Sequence, residues 1–557
     1  MSDGVFGRAQ KRTLQGTGLA CGFSLFISIL LLAIPLYSLQ LFERVATSGS
    51  VPTLIALFSI TAFLLLLQAG LDLVRSQILR HSATQLDYHL SPALLLDAID
   101  SSGQQLSPRR DGLNHLNRVC AFLCSPVATA LLELPWTPLF LIILALFHPL
   151  LAGLVLAGVG LMLACSLVLG RWLSEREPEQ GRGALNHYLN KSRVILAMGM
   201  GPSLSLRWRD ENARRLLEHG TATSARQGVA VVFRFVRQLT QMTLLGVGIY
   251  LVLQDALSMG GVIAASMIGG RMLTPFEPLL QRRGELSRVR DSWQQLTRLG
   301  EALDHQSARL PLPRPRGDLL VNNVSFVAPQ KKIPQLKQVG FRLHAGQSLA
   351  IMGPSASGKS TLISLLLGMI RPTAGEVRID GASLNQWTPE TLGQYIGYLP
   401  QDVELIEGTI AQNIGRFGES NDSLVLQAAQ AAQVHELITA LPQGYETRVG
   451  ELGYPLSSGQ KQRIALARAL YGNPSILILD EPISNLDLEG EQVLAKILAR
   501  CKTLSTTVVM VTHSPSLLNL TDWIVCLQNG AVVKAGLRDE VLGKMKVAQV
   551  PKQEEVS

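Results

Sequence analysis

What most constrains this chain of 557 residues is where its charges are missing. No charged side chain occurs from Thr13 to Phe42 or from Val45 to Leu71, and from Leu134 to Gly170 only His148 can carry charge. About 20 apolar residues rising 1.5 Å each cross a hydrocarbon layer of about 30 Å. The first two stretches are therefore predicted spans, and the third is long enough for two, with a break at His148-Pro149 where proline cannot continue a helix. Two weaker stretches, Phe235 to Leu253 and Ala256 to Leu280, complete a predicted six, with Arg237, Arg271 and Glu277 inside them and Arg234 just before. Charge within a bilayer normally faces water or a partner. These side chains are expected either at helix ends meeting headgroups or along a wet pathway.

The run after Lys11-Arg12 is too long for the apolar region of a cleaved signal peptide and predicts a retained anchor. Arg8, Lys11 and Arg12 precede it while Glu43 and Arg44 follow, so the positive-inside bias puts the N-terminus in the cytoplasm. The long connections Arg75 to Ala128 and Arg171 to Arg234 then lie on the same side. Leu79, Leu86, Leu90 and Leu94 recur at helical spacing, which predicts that the spans continue as helices beyond the bilayer. Arg282 to Leu303 alternates like a surface helix, and Leu310-Pro-Leu-Pro-Arg-Pro-Arg316 stiffens the chain into a linker. The expected organisation is a cytoplasmic segment 1–18, a six-span domain 19–281, a linker 282–316, a second domain 317–545 and a polar tail 546–557.

Charge separates along the same line. Residues 317–557 hold 20 Lys and Arg against 22 Asp and Glu; of 50 and 42 in all, the remainder holds 30 against 20. A basic half can signal nucleic acid, but here the arginines alternate with long uncharged stretches. The reading is a lipid bilayer and no nucleic acid. Six scattered cysteines do not make a disulfide scaffold, and Cys120 with Cys124 reads as one helix face in a reducing compartment.

The second domain carries chemistry. Ser348 to Met352 reads as a buried strand, followed by Gly353, Pro354, Ser355, Ala356, Ser357, Gly358, Lys359, Ser360 and Thr361 and then an apolar helix. Glycines there let backbone N–H groups approach phosphates, Lys359 reaches the outer oxygens and the Ser360 hydroxyl suits Mg²⁺. The apolar strand Ile476 to Leu479 ends in Asp480, suited to a Mg²⁺ contact, and Glu481, suited to polarising the attacking water. Val508 to Val511 ends in Thr512-His513, which places an imidazole at the same edge. Ser457, Ser458, Gly459 and Gln460 open another helix and offer a second anion site. One chain does not need two such sites for one nucleotide, so a dimer is expected, in which the second site of one copy caps the nucleotide of the other.

On these motifs, residues 317 to 557 resemble the ATPase domain of an ABC transporter, and the six spans in front resemble an exporter half-transporter. The implied fold is a membrane all-α six-helix ABC exporter (type-1 exporter) domain followed by an α/β P-loop NTPase (ABC ATPase) domain. The resemblance implies that Gln401 senses Mg²⁺ and the membrane domain, giving a metal set of Ser360, Gln401 and Asp480. It further implies that Ser457 to Gln460 contact the partner's γ-phosphate, that Ser484 to Asp487 form the D-loop with Asp487 at the nucleotide, and that His513 is the switch histidine. Thr447 to Gly453 resembles the loop that touches the coupling helices. Two departures stand out: Ser458 replaces a usual glycine, and Ala328-Pro329 replaces the adenine-stacking aromatic expected after Phe326, so purine stacking is weaker or uses another residue.

Glu133-Leu-Pro-Trp-Thr-Pro138, Ala197-Met-Gly-Met200, Gly270-Arg271 with Leu273-Thr-Pro275, and the Pro-rich linker resemble, in order, type I protein secretion exporters. The branch resembled is the alkaline-protease and lipase exporter kind, because roughly 18 residues precede the first span, where exporters with a peptidase-like N-terminal domain are expected to have many more. The resemblance implies ATP and Mg²⁺, a homodimer in the inner membrane of a bacterial cell with the ATPase domain cytoplasmic, a periplasmic adaptor, a TolC-like outer-membrane duct, and an unfolded secreted protein with a C-terminal signal as substrate. Arg234, Arg237, Arg271 and Glu277 are candidates for its path. Alternatives are a lipid or drug exporter and, in another class, a nucleotide-gated channel or sensor, which has no need of both Glu481 and His513.

Overall fold

The computed structural model describes residues 5–102, 111–172, 191–306, 312–328, 333–419, 421–450, 453–483 and 488–548. The main boundary between its two compact units falls between His305 and Gln306.

The first unit is helical. Its first span is a series of pieces: Val5–Leu30, a turn at residues 31–32, Ala33–Gln40 and a π-helical turn Leu41–Val45. Pro35 explains the first break, since it has no N–H to return to the Leu31 carbonyl. The second span is one helix, Val51–Ser102, and the fifth is another, Gly201–Leu253. Both continue well past the length a bilayer needs, as the leucine spacing predicts. Spans three and four, Thr137–Phe147 and Pro149–Trp172, are separated by His148, which is extended at φ −165° and ψ 130°.

The sixth span departs from expectation. It splits into Met259–Leu273 and Phe276–Gln281 at Thr274-Pro275, and among the described residues five helices are long and apolar enough to cross a membrane without it. Its 15-residue first piece reaches only about 22 Å.

Spans three to six share a core of Phe140, Leu144, Leu151, Phe233, Leu244, Ile268 and Leu273. Small residues permit the close approach: a Cβ at Gly158 would lie 2.6 Å from Thr240 Oγ1, and one at Gly248 would lie 2.6 Å from Val262 Cγ1. A second core joins Phe6, Leu86, Leu90, Leu94, Leu116 and Leu296, the last from the surface helix Arg283–Gln306.

The second unit holds twelve described strands: β1 (Leu319–Phe326), β2 (Leu336–Leu343), β3 (Ser348–Met352), β4 (Ala374–Ile379), β5 (Ala382–Ser383), β6 (Ile396–Leu399), β7 (Gly408–Thr409), β8 (Arg448–Val449), β9 (Ile476–Asp480), β10 (Thr507–Val511), β11 (Trp523–Gln528) and β12 (Ala531–Leu537). Six form a sheet in the order β12-β11-β3-β10-β9-β6, parallel except for β12. Its interior strands β9 and β10 are buried throughout, as parallel strands covered on both faces must be. An antiparallel sheet β2-β1-β4-β5 forms a second layer, and β7 pairs with β8.

The Pro-rich segment assigned to the linker is anchored on this unit. Arg314 donates to Asn473 O at 2.6 Å, Pro315 O accepts from Ser475 Oγ at 2.7 Å, and the Arg316 N–H bonds the Asp380 carboxylate. The break between units therefore precedes the expected boundary at residue 316.

Candidate nucleotide site

Strand register builds the site. Ile351 of β3 pairs with Val511 of β10, and Val511 pairs with Asp480 of β9. Leu399 of β6 pairs with Leu479. The chain leaves all four strands at one edge, so the phosphate loop, His513, Glu481 and Gln401 start from adjoining positions. This is the carboxyl edge at which open parallel sheets bind ligands.

The loop after β3 turns through Gly353 at φ 154° and Gly358 at φ 101°. A Cβ on Gly353 would sit 2.2 Å from Leu527 O, and one on Gly358 would sit 2.7 Å from Leu336 Cδ2. Both positions exclude a side chain. Ala356, by contrast, holds φ 62° although it has a Cβ. Pro354, Ser355 and Ala356 are exposed and Ser357 is buried. Lys359 opens the helix Lys359–Leu366, and its Nζ donates to Gly353 O at 2.6 Å and Pro354 O at 3.0 Å. Ser360 and Thr361 share that first turn, Ser360 exposed, where unpaired backbone N–H groups favour an anion.

Asp480 is 7% exposed. Burial, then the neighbouring Glu481 charge, pushes its carboxyl up to about 6 against an opposing pull from Lys359. Glu481 stands at φ 47°, its N–H bonded to Val511 O at 3.1 Å, and Gln401 Nε2 donates to its Oε2 at 2.9 Å. The His513 side chain is exposed.

Among the described residues no group of three or more His, Cys, Asp or Glu could hold a metal ion unaided. The Ser360 hydroxyl and the Asp480 carboxylate would suit a divalent ion, because added positive charge relieves a buried carboxyl beside a second one.

The turn expected to offer a second anion site also caps its own helix. Ser457 caps the helix Ser458–Leu470 in a reciprocal box: its Oγ accepts from Gln460 N–H at 3.2 Å, and Gln460 Oε1 accepts from Ser457 N–H at 2.9 Å. Both side chains serve the helix's own cap, leaving Ser458 and Gly459 as its outermost backbone. Residues 484–487, with Asp487, lie outside the described residues, as do residues 451–452 of the Thr447 to Gly453 loop.

In the helical unit, Arg237 pairs with Glu277 at 3.4 Å and Gln281 Nε2 donates to Glu277 Oε1 at 3.3 Å. Arg234 and Arg271 are exposed and no such bond joins them to this pair. Sequence reasoning missed a stronger cluster: Arg75, 6% exposed, meets Asp72 and Glu133 at 2.8 Å each and Ser24 Oγ at 3.1 Å. Its signal was a charge pair three residues apart at the end of an uncharged span, opposite Glu133 at the start of another.

Residues 336–484 match the family model described as ABC transporter. The type I secretion system ATP-binding protein PrsD of Rhizobium meliloti (strain 1021) is 36% identical over 550 residues, covering 97% of this chain and 94% of the relative. The toxin RTX-I translocation ATP-binding protein of Actinobacillus pleuropneumoniae is 30% identical over 541 residues, covering 93% and 75%. A solved bacterial Atm1-family ABC exporter with ATP bound has the same fold, with a TM-score of 0.78 at 21% identity over 98% of this chain and 99% of that one.

Proposed function

Because this chain belongs to the ABC transporters, among the type I secretion ATP-binding proteins, we infer that it is an ATP-driven exporter half-transporter that moves unfolded polypeptide with a C-terminal signal out of the cytoplasm. It is a membrane protein and an ATPase. The observation that carries the mechanism is the shared edge where Ile351, Val511 and Asp480 stand in register.

In this reading the phosphate loop binds the triphosphate through backbone N–H groups within residues 355–361, with Lys359 exchanging its loop carbonyls for the outer phosphate oxygens. Glu481 orients and deprotonates the attacking water as the bond between the γ-phosphorus and the bridging oxygen breaks. His513 steadies the γ-phosphate, and Gln401 reports on it. Ser360, Gln401 and Asp480 would hold Mg²⁺, which neutralises charge on the outer phosphates when bound. Ser458 and Gly459 of a second copy would close over the nucleotide with Asp487, making the working form a homodimer. Nucleotide binding closes the dimer, and hydrolysis reopens it. Both ATPase domains lie in the cytoplasm beneath the inner membrane, with a periplasmic adaptor and a TolC-like duct beyond. Arg237, Glu277, Arg234 and Arg271 contribute to a polar path.

The test is ATP turnover of the purified protein in lipid nanodiscs, titrated with C-terminal segments of proteins secreted by the same organism and, in parallel, with lipids. Stimulation by the peptides supports polypeptide export. Stimulation by lipid alone would transfer the assignment to a lipid exporter of the same architecture.

A further inference from the structure

The backbone on both sides of His513 is tied down by groups outside the nucleotide site. Thr512 is 1% exposed, its N–H reaches Ile351 O on β3 at 3.4 Å, and its hydroxyl accepts from Ser514 N–H at 3.1 Å. Beyond the histidine, Ser514 and Ser516 both donate to one carboxylate oxygen of Glu491, the first at 3.0 Å, and the two hydroxyls lie 2.6 Å apart. Ser514 stands at the N-cap of the helix Pro515–Leu518, yet its hydroxyl makes no cap bond. A serine in that place ordinarily bonds its own helix, so turning to Glu491 departs from local habit.

Glu491 lies in the first turn of the helix Leu488–Thr503, which follows residues 484–487 directly. Its carboxylate makes charge-assisted bonds, about twice as strong as neutral ones. The short chain bearing His513 is thus held at one end by the sheet and at the other by this helix.

We propose that Glu491 is a positioning residue for His513, fixing the backbone from which the imidazole reaches the γ-phosphate and making that reach depend on where the helix Leu488–Thr503 begins. The proposal rests on the reading of His513 as a γ-phosphate contact. It also gives Ser514 and Ser516 a role that sequence reading did not assign. The effect belongs in turnover rather than in nucleotide capture, since His513 does not build the phosphate loop.

The experiment measures kcat, KM for ATP and the thermal midpoint of the full-length protein in nanodiscs. The variants are Glu491→Ala, Glu491→Gln and the double Ser514→Ala/Ser516→Ala, each alone and combined with His513→Ala. Expected is a kcat loss of roughly tenfold or more for Glu491→Ala, the scale of a misplaced group, with KM and midpoint nearly unchanged. Glu491→Gln, which keeps an acceptor oxygen, recovers much of the rate. In the His513→Ala background the Glu491→Ala loss disappears, as for residues acting through one another. Equal losses in both backgrounds, or a raised KM at parent kcat, would overturn the proposal. Should Glu491→Ala not fold, the paired serine variant decides by the same cycle. Parent-like turnover in His513→Ala removes the underlying reading and the proposal together, whereas parent-like turnover confined to the Glu491 and serine variants removes the proposal alone.

Discussion

Gln401 donates from Nε2 to Glu481 Oε2 at 2.9 Å, joining the residue two places beyond β6 to the residue directly after β9. Glu481 is at φ 47°, a left-handed conformation that costs an L-residue about 1–2 kcal/mol and tends to gather where function needs it. The carboxylate is thus aimed by its backbone and by a partner from another strand. Glu481→Gln keeps the shape and removes the carboxylate proposed as the base. Nucleotide binding survives, and turnover falls by roughly 10²–10⁴-fold. Phosphate release, measured beside nucleotide retention on rapid gel filtration, checks this, and parent-like release would remove the assigned role.

Lys359→Ala deletes the ammonium that now bonds Gly353 O and Pro354 O. A hydrogen bond to a charged group contributes about 1.5–3 kcal/mol, so ATP affinity weakens by roughly ten- to a hundredfold. Equilibrium titration with a fluorescent ATP analogue reads the change. Unaltered affinity would mean that the lysine does not reach the phosphates.

Ala356→Gly relieves the φ of 62° in the phosphate loop. Removing about 1–2 kcal/mol of left-handed strain outweighs the added chain entropy of about 0.5–1 kcal/mol. A rise of a few degrees in the thermal midpoint of the ATPase unit is expected, and a fall would show that the loop makes no such strain.

Asp480 sets a pH dependence. Burial first, and Glu481 second, raise its carboxyl to about 6, while the unfolded chain titrates near the ordinary value of about 4. Between these values the folded protein binds the extra proton, so stability falls as pH rises through that window and remains lower above it. Two pKa units correspond to about 3 kcal/mol. In nucleotide-free, metal-free protein, Asp480→Asn raises the unfolding midpoint at pH near 8 and not near 4. Equal shifts at both would contradict the assignment.

Arg75 is buried between Asp72 and Glu133. Removing one partner of a buried ion pair typically costs about 3–5 kcal/mol, and Asp72 offsets part of that here. Glu133→Gln is expected to lower the midpoint of the membrane unit in detergent more than Arg207→Gln, whose pair with Glu211 is far more exposed. The reverse order would make the cluster incidental.

Sequence pattern disclosed what depends on local chemistry. The break at His148-Pro149, the phosphate loop between strand and helix, and the leucines that later pack as Leu86, Leu90 and Leu94 were all readable, because proline, glycine and periodicity act within a few residues. The split of the sixth span at Thr274-Pro275 was less so: the motif was visible, but whether a proline kinks or ends a helix depends on neighbouring packing. The Gln401–Glu481 bond spans 80 positions in the chain and exists because β6 and β9 are neighbours, which no spacing announces. Ser457 to Gln460 read as an anion site on their backbone donors at a helix start; that the Ser457 and Gln460 side chains also form a reciprocal cap shows only in the geometry.

The second and fifth spans run on as helices of 52 and 53 residues, the second continuing through an internal Pro92, each nearly 80 Å long at about 1.5 Å per residue. Such a rod has no joint where it leaves the bilayer, so it behaves as a lever. A pivot of roughly 5° about its centre carries either tip about 3 Å, wider than a hydrogen bond. Small rotations at one extremity can thus be delivered at the other with no change of secondary structure along the way.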